Sequence, residues 1–116
     1  LFLGFDCSTQ SLKATVLDRG GVIVMQDAVI FARDLASYGT EEGVMRGEGG
    51  RVTSPVLMWV EAFDMLLERL RDAGLAFHKV VAVSGSGQQH GSVYWRKGAE
   101  ETLLSLDPSR RMVDQL

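Results

Sequence analysis

A single cysteine, Cys7, leaves no room for an internal disulfide framework or a cysteine-rich metal site. It fits a reducing compartment, and the expected location is the cytoplasm. Basic charge is not in excess: 12 Lys and Arg stand against 15 Asp and Glu, a net charge of −3. A nucleic-acid binder held by phosphate neutralisation is therefore not expected. No apolar run approaches the roughly 20 residues of a membrane-spanning helix, and no secretory apolar core is present. Internal repeats and low-complexity segments are absent. The two histidines, His78 and His90, lack cysteine or carboxylate partners at metal-site spacing. What is present is an ordinary balance, 46% hydrophobic and 23% charged over 116 residues. That is one domain, or part of one, with enough chain to bury a core.

The apolar pattern sets the expected elements. Leu1 to Phe5 reads as a short, fully buried strand, and Leu12 to Leu17 as a strand with Leu12, Ala14 and Val16 on one face. Asp18-Arg19-Gly20-Gly21 is a hairpin turn before a third strand over Val22 to Phe31. These tight connections imply an antiparallel meander. Residues 34 to 54 mix Gly39, Gly43, Gly47, Gly49 and Gly50 with charges and read as a long loop with little to bury, either mobile or an ordered flap. Ser54 is expected to cap a helix that has Pro55 in its first position, runs to Arg71 and is stopped by Gly74. Its apolar stripe is Val56, Trp59, Val60, Phe63, Leu66, Leu67 and Leu70.

Val80 to Val83 reads as a strand covered on both faces and parallel to an earlier one. Gly91 to Lys97 reads as a further strand, and Ala99 to Leu106 as a short helix ended by Pro108. The fold class is α/β with a mixed sheet: three antiparallel strands, then a helix and a parallel strand. The sequence opens inside a strand-like run without methionine and stops in polar sequence, so a piece of a longer protein is expected.

Two polar clusters carry the chemistry. Asp6, Ser8, Thr9, Gln10 and Ser11 lie between two strands, where a plain hairpin would more naturally use Asn-Gly or Asp-Gly. Successive backbone N–H groups in such a turn form an anion-binding concavity, and the hydroxyls and Lys13 add donors. Asp6 offers a hard oxygen to Mg²⁺, which needs only one or two carboxylates. The same residue types also allow a capped hairpin whose hydroxyls satisfy their own turn. This is not the glycine-rich phosphate loop, which leads straight into a helix.

The second cluster follows Ser84-Gly85-Ser86-Gly87, read as a small-residue loop at a strand end. Gln88, Gln89 and His90 there offer donors and acceptors suited to an uncharged polyhydroxylated ligand. The alternative is a glycine-rich loop with an exposed histidine. His78 reads as structural and Trp59 as core. Ser86 matches a nucleophile elbow only superficially, because the flanking glycine spacing is wrong.

Leu3-Gly4-Phe5-Asp6-Cys7-Ser8-Thr9-Gln10-Ser11-Leu12-Lys13 resembles the first phosphate segment of the FGGY carbohydrate kinases, actin-like ATPases with ribonuclease-H-like domains. Thr53-Ser54-Pro55-Val56-Leu57-Met58-Trp59 and the stretch from Ser84 to Trp95 resemble the branch of that family acting on D-xylulose. The resemblance runs over nearly the whole chain, in order and with the family's spacing. Its first motif is shared across actin-like ATPases; the Gln-Gln-His-Gly segment is more specific.

The resemblance implies that residues 1–116 are a partial amino-terminal sugar-kinase domain of ribonuclease-H-like fold, with the second, nucleotide domain elsewhere. It implies ATP-dependent phosphorylation of D-xylulose to D-xylulose 5-phosphate, with ATP and Mg²⁺ as cofactors. Asp6, Ser8, Thr9, Gln10, Ser11 and Lys13 would then lie near the ATP phosphates, with Asp6 toward the metal. Gln88, Gln89 and His90 would line the sugar pocket, His90 bonding a ketose hydroxyl. The family's catalytic aspartate lies further along the chain, so no catalytic base is expected here.

Ser8 departs from the glycine of many members and would be strained if the backbone there needs positive φ. Another FGGY kinase with a different sugar or polyol is an alternative, as is a non-catalytic sugar-binding scaffold of actin-like fold. A ribonuclease-H-like nuclease is not, because it needs clustered carboxylates and Ser84-Gly85-Ser86-Gly87 supplies none.

Overall fold

Alternation of large apolar and polar residues makes a meander, and the first long amphipathic segment covers it. The computed structural model describes residues 1–115. Strand β1 (Phe2–Cys7) pairs antiparallel with β2 (Ser11–Leu17), which pairs antiparallel with β3 (Ile23–Ile30). The β2–β3 turn closes as its residues predict. Asp18 accepts the Gly20 and Val22 amides on Oδ1, and Gly21 takes positive φ.

After β3 come a one-turn helix α1 (Phe31–Asp34), a small hairpin of β4 (Met45–Arg46) and β5 (Val52–Thr53), and the long helix α2 (Val56–Asp72). Strand β6 (Ala82–Gly87) then joins the sheet parallel to β1, giving the order β3-β2-β1-β6. A short helix α3 (Ala99–Leu104) follows. The α/β class, the meander and the parallel strand are as the sequence predicts. Residues 91–97, expected as a strand, are irregular instead.

One face of the sheet holds the core. Leu3, Leu12, Ala14, Val16 and Val29 are buried against Leu57, Met58, Ala62, Leu66 and Leu70 of α2. The predicted stripe is therefore rotated: Val60 and Phe63 are exposed, while Met58 and Ala62 are fully buried. Ala62, a small residue, lies on that buried face. The C-terminus matches its glycine signal. Gly74 has positive φ, its N–H donates to the Arg71 carbonyl, and the Leu75 N–H reaches Leu70.

At the other end Ser54 does not cap. Its hydroxyl donates to the Gly43 carbonyl at 2.8 Å, and Pro55 occupies the cap position.

Two further expectations are corrected. The first strand is not fully buried: Leu3 is, but Phe2 is exposed. Val81 and Val83 are 66% and 64% exposed, so the apolar run before and within β6 is uncovered. An apolar strand needs a layer on each side, and among the described residues no element lies over β6.

Residues 34 to 54 are an ordered flap, not a loop with little to bury. Leu35, Tyr38 and Val44 are buried. Tyr38 Oη donates to Glu61 Oε2 at 2.6 Å, and burial, with that bond adding to it, holds the phenol above its ordinary pKa.

Asp34 anchors the flap's start. Its carboxylate accepts the Ile30 amide at 2.8 Å and pairs with Arg33 and, from α2, Arg69. Arg69 also donates to the Ala28 carbonyl at 2.9 Å, so one guanidinium ties α2 to β3 and the flap. The Arg33 bond first, then Arg69 and the Ile30 amide, hold the Asp34 carboxyl well below the usual carboxylate range against the opposing effect of burial. Asp34→Asn should therefore cost about 1–3 kcal/mol at pH 7. A depressed native pKa stabilises above the unfolded value of about 3.9, and the gain fades as pH falls toward the native one. Urea denaturation at pH 7 and pH 3 should show the gap between wild type and variant narrowing in acid. A gap that stays constant would contradict the anchoring role.

Candidate functional site

Both polar clusters emerge from the same end of the sheet, because β1 and β6 run in parallel. Asp6 at the end of β1 lies opposite Lys13 on β2 and Ser86 on β6, all on one face of the sheet. Ser86 Oγ donates to Asp6 Oδ1 at 2.9 Å. Asp6 is exposed, and among the described residues it enters no salt bridge. Lys13 is exposed beside it.

The turn between β1 and β2 partly satisfies itself. Ser8 Oγ donates to the Ser11 carbonyl at 3.1 Å and lies 3.2 Å from the Ser11 hydroxyl, while the Ser8 amide bonds the same carbonyl. Ser11 is 4% exposed, so its side chain faces inward. Ser8 is not in the positive-φ region, so the serine there carries no such strain. Gln10 is exposed and gives its carbonyl to the Phe31 amide. Burial, then Asp6, pushes the Cys7 thiol up, which leaves it a poor nucleophile at neutral pH.

Thr9 is different. Its hydroxyl donates to Gln88 Oε1 at 2.9 Å, joining the two clusters that the sequence presents as separate loops. Ser84 to Gly87 belong to β6 and not to a loop, so the second cluster begins at Gln88.

Around this junction lies a cavity of about 620 Å³, within the range of small-molecule sites. Its polar side is Thr9 and Gln88 to Ser92; its apolar side is Val44, Val52, Val56 and Trp59. Thr53, Ser54, Val93 and Tyr94 complete it, and no Lys, Arg, Asp or Glu lines it. Sequence reasoning placed Gln88, Gln89 and His90 together but took Trp59 for core. Trp59 is only partly buried and turns one side to the cavity. The flap residues were missed too, since nothing in a glycine-rich stretch shows which of its valines will face a neighbouring loop.

No family model matches the chain. Over its whole length the chain is 58% identical to xylulose kinase 2 of Arabidopsis thaliana. Over 98% of its length it is 47% identical to the xylulose kinase of Rattus norvegicus, and over all of it 46% identical to that of Schizosaccharomyces pombe. The chain is similar to these xylulose kinases over all or nearly all of its own length. It spans about a fifth of the length of these curated relatives.

In this chain the flap meets the β1–β2 turn by close backbone approach. A Cβ on Gly43 would overlap the Thr9 carbonyl oxygen, and the residue has a φ of +84°. Gly39 also has positive φ, +65°, but nothing lies within 4 Å of its Cβ position. Gly39→Ala should thus cost only the left-handed backbone penalty, about 1–2 kcal/mol. Gly43→Ala should cost clearly more. Paired urea midpoints test this; equal losses would show that the flap yields freely at Thr9.

Proposed function

We propose that this chain supplies the phosphate turn and sugar pocket of an ATP-dependent xylulose kinase of the FGGY family: D-xylulose and ATP give D-xylulose 5-phosphate and ADP. The fold proposed for it is the ribonuclease-H-like domain of an actin-like ATPase, and the setting a reducing cytoplasm. No helix among the described residues is long and apolar enough to cross a membrane.

The observation that carries the reading is the uncharged cavity holding Gln88, Gln89 and His90 beside a turn whose flanking strands carry Asp6 and Lys13 opposite each other. Neutral groups that both donate and accept suit hydroxyls. A sugar phosphate or sugar acid would bring a charge into a pocket with no cation to meet it.

Phosphoryl transfer needs positioning and charge stabilisation more than covalent chemistry. The pocket supplies the first for the sugar, with His90 bonding a ketose hydroxyl and the Trp59 side packing against its C–H face. The turn from Asp6 to Lys13 supplies the second: Ser8, Gln10 and Ser11 shape its backbone toward the nucleotide's phosphates, Lys13 brings a positive charge, and Thr9 sits at the junction with the pocket. Asp6 suits Mg²⁺, since its carboxylate is exposed and bonded only by Ser86 among the described side chains. Bound there with ATP, Mg²⁺ would neutralise phosphate charge. The base that takes the sugar's proton is assigned to none of these residues.

In a chain of the relatives' full length, His90→Ala leaves one sugar hydroxyl unpaired, a cost of about 1–3 kcal/mol. That is a roughly 5- to 150-fold loss in kcat/KM for D-xylulose, while affinity for a non-hydrolysable ATP analogue changes little. Asp6→Asn should do the reverse, cutting kcat severely with D-xylulose affinity largely kept. Steady-state kinetics decide both, and unchanged D-xylulose kinetics in His90→Ala would remove the sugar-pocket assignment.

A further inference from the structure

We infer that Thr9 is a positioning residue of the sugar pocket, fixing the Gln88 carboxamide so that its N–H group is offered to a sugar oxygen. The inference rests on the pocket assignment above and changes what one residue of the phosphate turn does. Glutamine is two-faced, able to donate or accept at either end of its amide. Here the choice is made by its surroundings. Thr9 Oγ1 donates to Gln88 Oε1 at 2.9 Å, which occupies the acceptor end. The donor end lies against Gly91, where a Cβ would come within 2.6 Å of Nε2.

Thr9 is itself held from behind. Its carbonyl packs on the bare α-carbon of Gly43, whose own carbonyl accepts the Ser54 hydroxyl at 2.8 Å. A line of contacts therefore runs from the start of α2, through the flap and the phosphate turn, into the sugar loop. Each step needs a small residue or a hydroxyl. The bond lies at the surface, where both side chains are exposed; a carboxamide already bonded there has less rotamer freedom to lose when the sugar arrives, which is how preorganisation raises affinity.

The test is calorimetric titration of D-xylulose, and separately of a non-hydrolysable ATP analogue with Mg²⁺, into a chain of the relatives' full length. Thr9→Val keeps the shape and removes the hydroxyl; Thr9→Ser keeps the hydroxyl. Thr9→Val should weaken D-xylulose binding roughly 3- to 20-fold, as expected for one lost hydrogen bond. Thr9→Ser should restore most of it, and Thr9→Val should weaken sugar binding by more than it weakens nucleotide binding. In steady state the KM for D-xylulose should rise by more than that for ATP. Weakened nucleotide binding with sugar binding intact would overturn the inference and return Thr9 to the phosphates; no change in either would overturn it as well. His90→Ala is titrated alongside. If it weakens D-xylulose binding and Thr9→Val does not, this inference alone fails. If neither does, the pocket assignment has failed first.

Discussion

Six residues of β1 align with six of β6, from Phe2 opposite Ala82 to Cys7 opposite Gly87, and this parallel register brings both strands to an end at one level. Everything at the site follows from it. The loops that leave those ends must emerge side by side, so Asp6 meets Ser86 and Thr9 meets Gln88 although about eighty positions separate each pair. A slip of one residue would turn every β6 side chain to the opposite face. Ser86 would leave Asp6, and the Gln88 loop would start one strand step away from the turn. The small residues of β6 have a purpose in this setting. Ser84, Gly85, Ser86 and Gly87 keep the sheet's edge slim where the two loops converge.

The register is supported from one side only. Helix α2 lies across β2 and β3 and buries Met58, Leu66 and Leu70 there, which fixes the meander and through it the position of β1. The same helix carries Trp59 at its cavity end and Arg69 at the other, so it holds both the pocket wall and the anchor of the flap. The flap gives the open cavity, whose Gln88, Gln89 and His90 are exposed, one of its sides. Asp34, Tyr38 and Gly43 tie it to α2 and to the β1–β2 turn, and Val44 and Val52 then line the cavity's apolar side. Polar loop and apolar rim face each other across a space without charge. That is the physical basis for reading the ligand as a neutral polyol.

The elements were legible where local chemistry decides them. Alternation in Leu12, Ala14 and Val16 gave β2 its buried face, Asp18-Arg19-Gly20-Gly21 its turn, and Gly74 the end of α2. The two clusters were legible as residue types. Contacts made at a distance were not. The buried face of α2 includes Ala62, which hydrophobic periodicity undervalues beside the exposed Val60 and Phe63. Ser54 looked like a cap because capping is the usual use of that side chain, and the Gly43 carbonyl that takes it instead lies eleven residues back. The flap looked empty because its glycines were read as freedom, whereas Gly43 is there to admit the Thr9 carbonyl. Val80 to Val83 looked covered because the run is apolar, but cover depends on a second layer that these residues do not provide.

Whether the cavity beside the Thr9–Gln88 bond is where the sugar sits is best measured by a crystal structure of a chain of the relatives' full length with D-xylulose bound. The account predicts the sugar between the Trp59 side and the Gln88 to His90 loop, the His90 ring about 2.6–3.2 Å from a hydroxyl, and Thr9 still bonded to Gln88. D-Xylulose ordered elsewhere, with only solvent in this cavity, would contradict it.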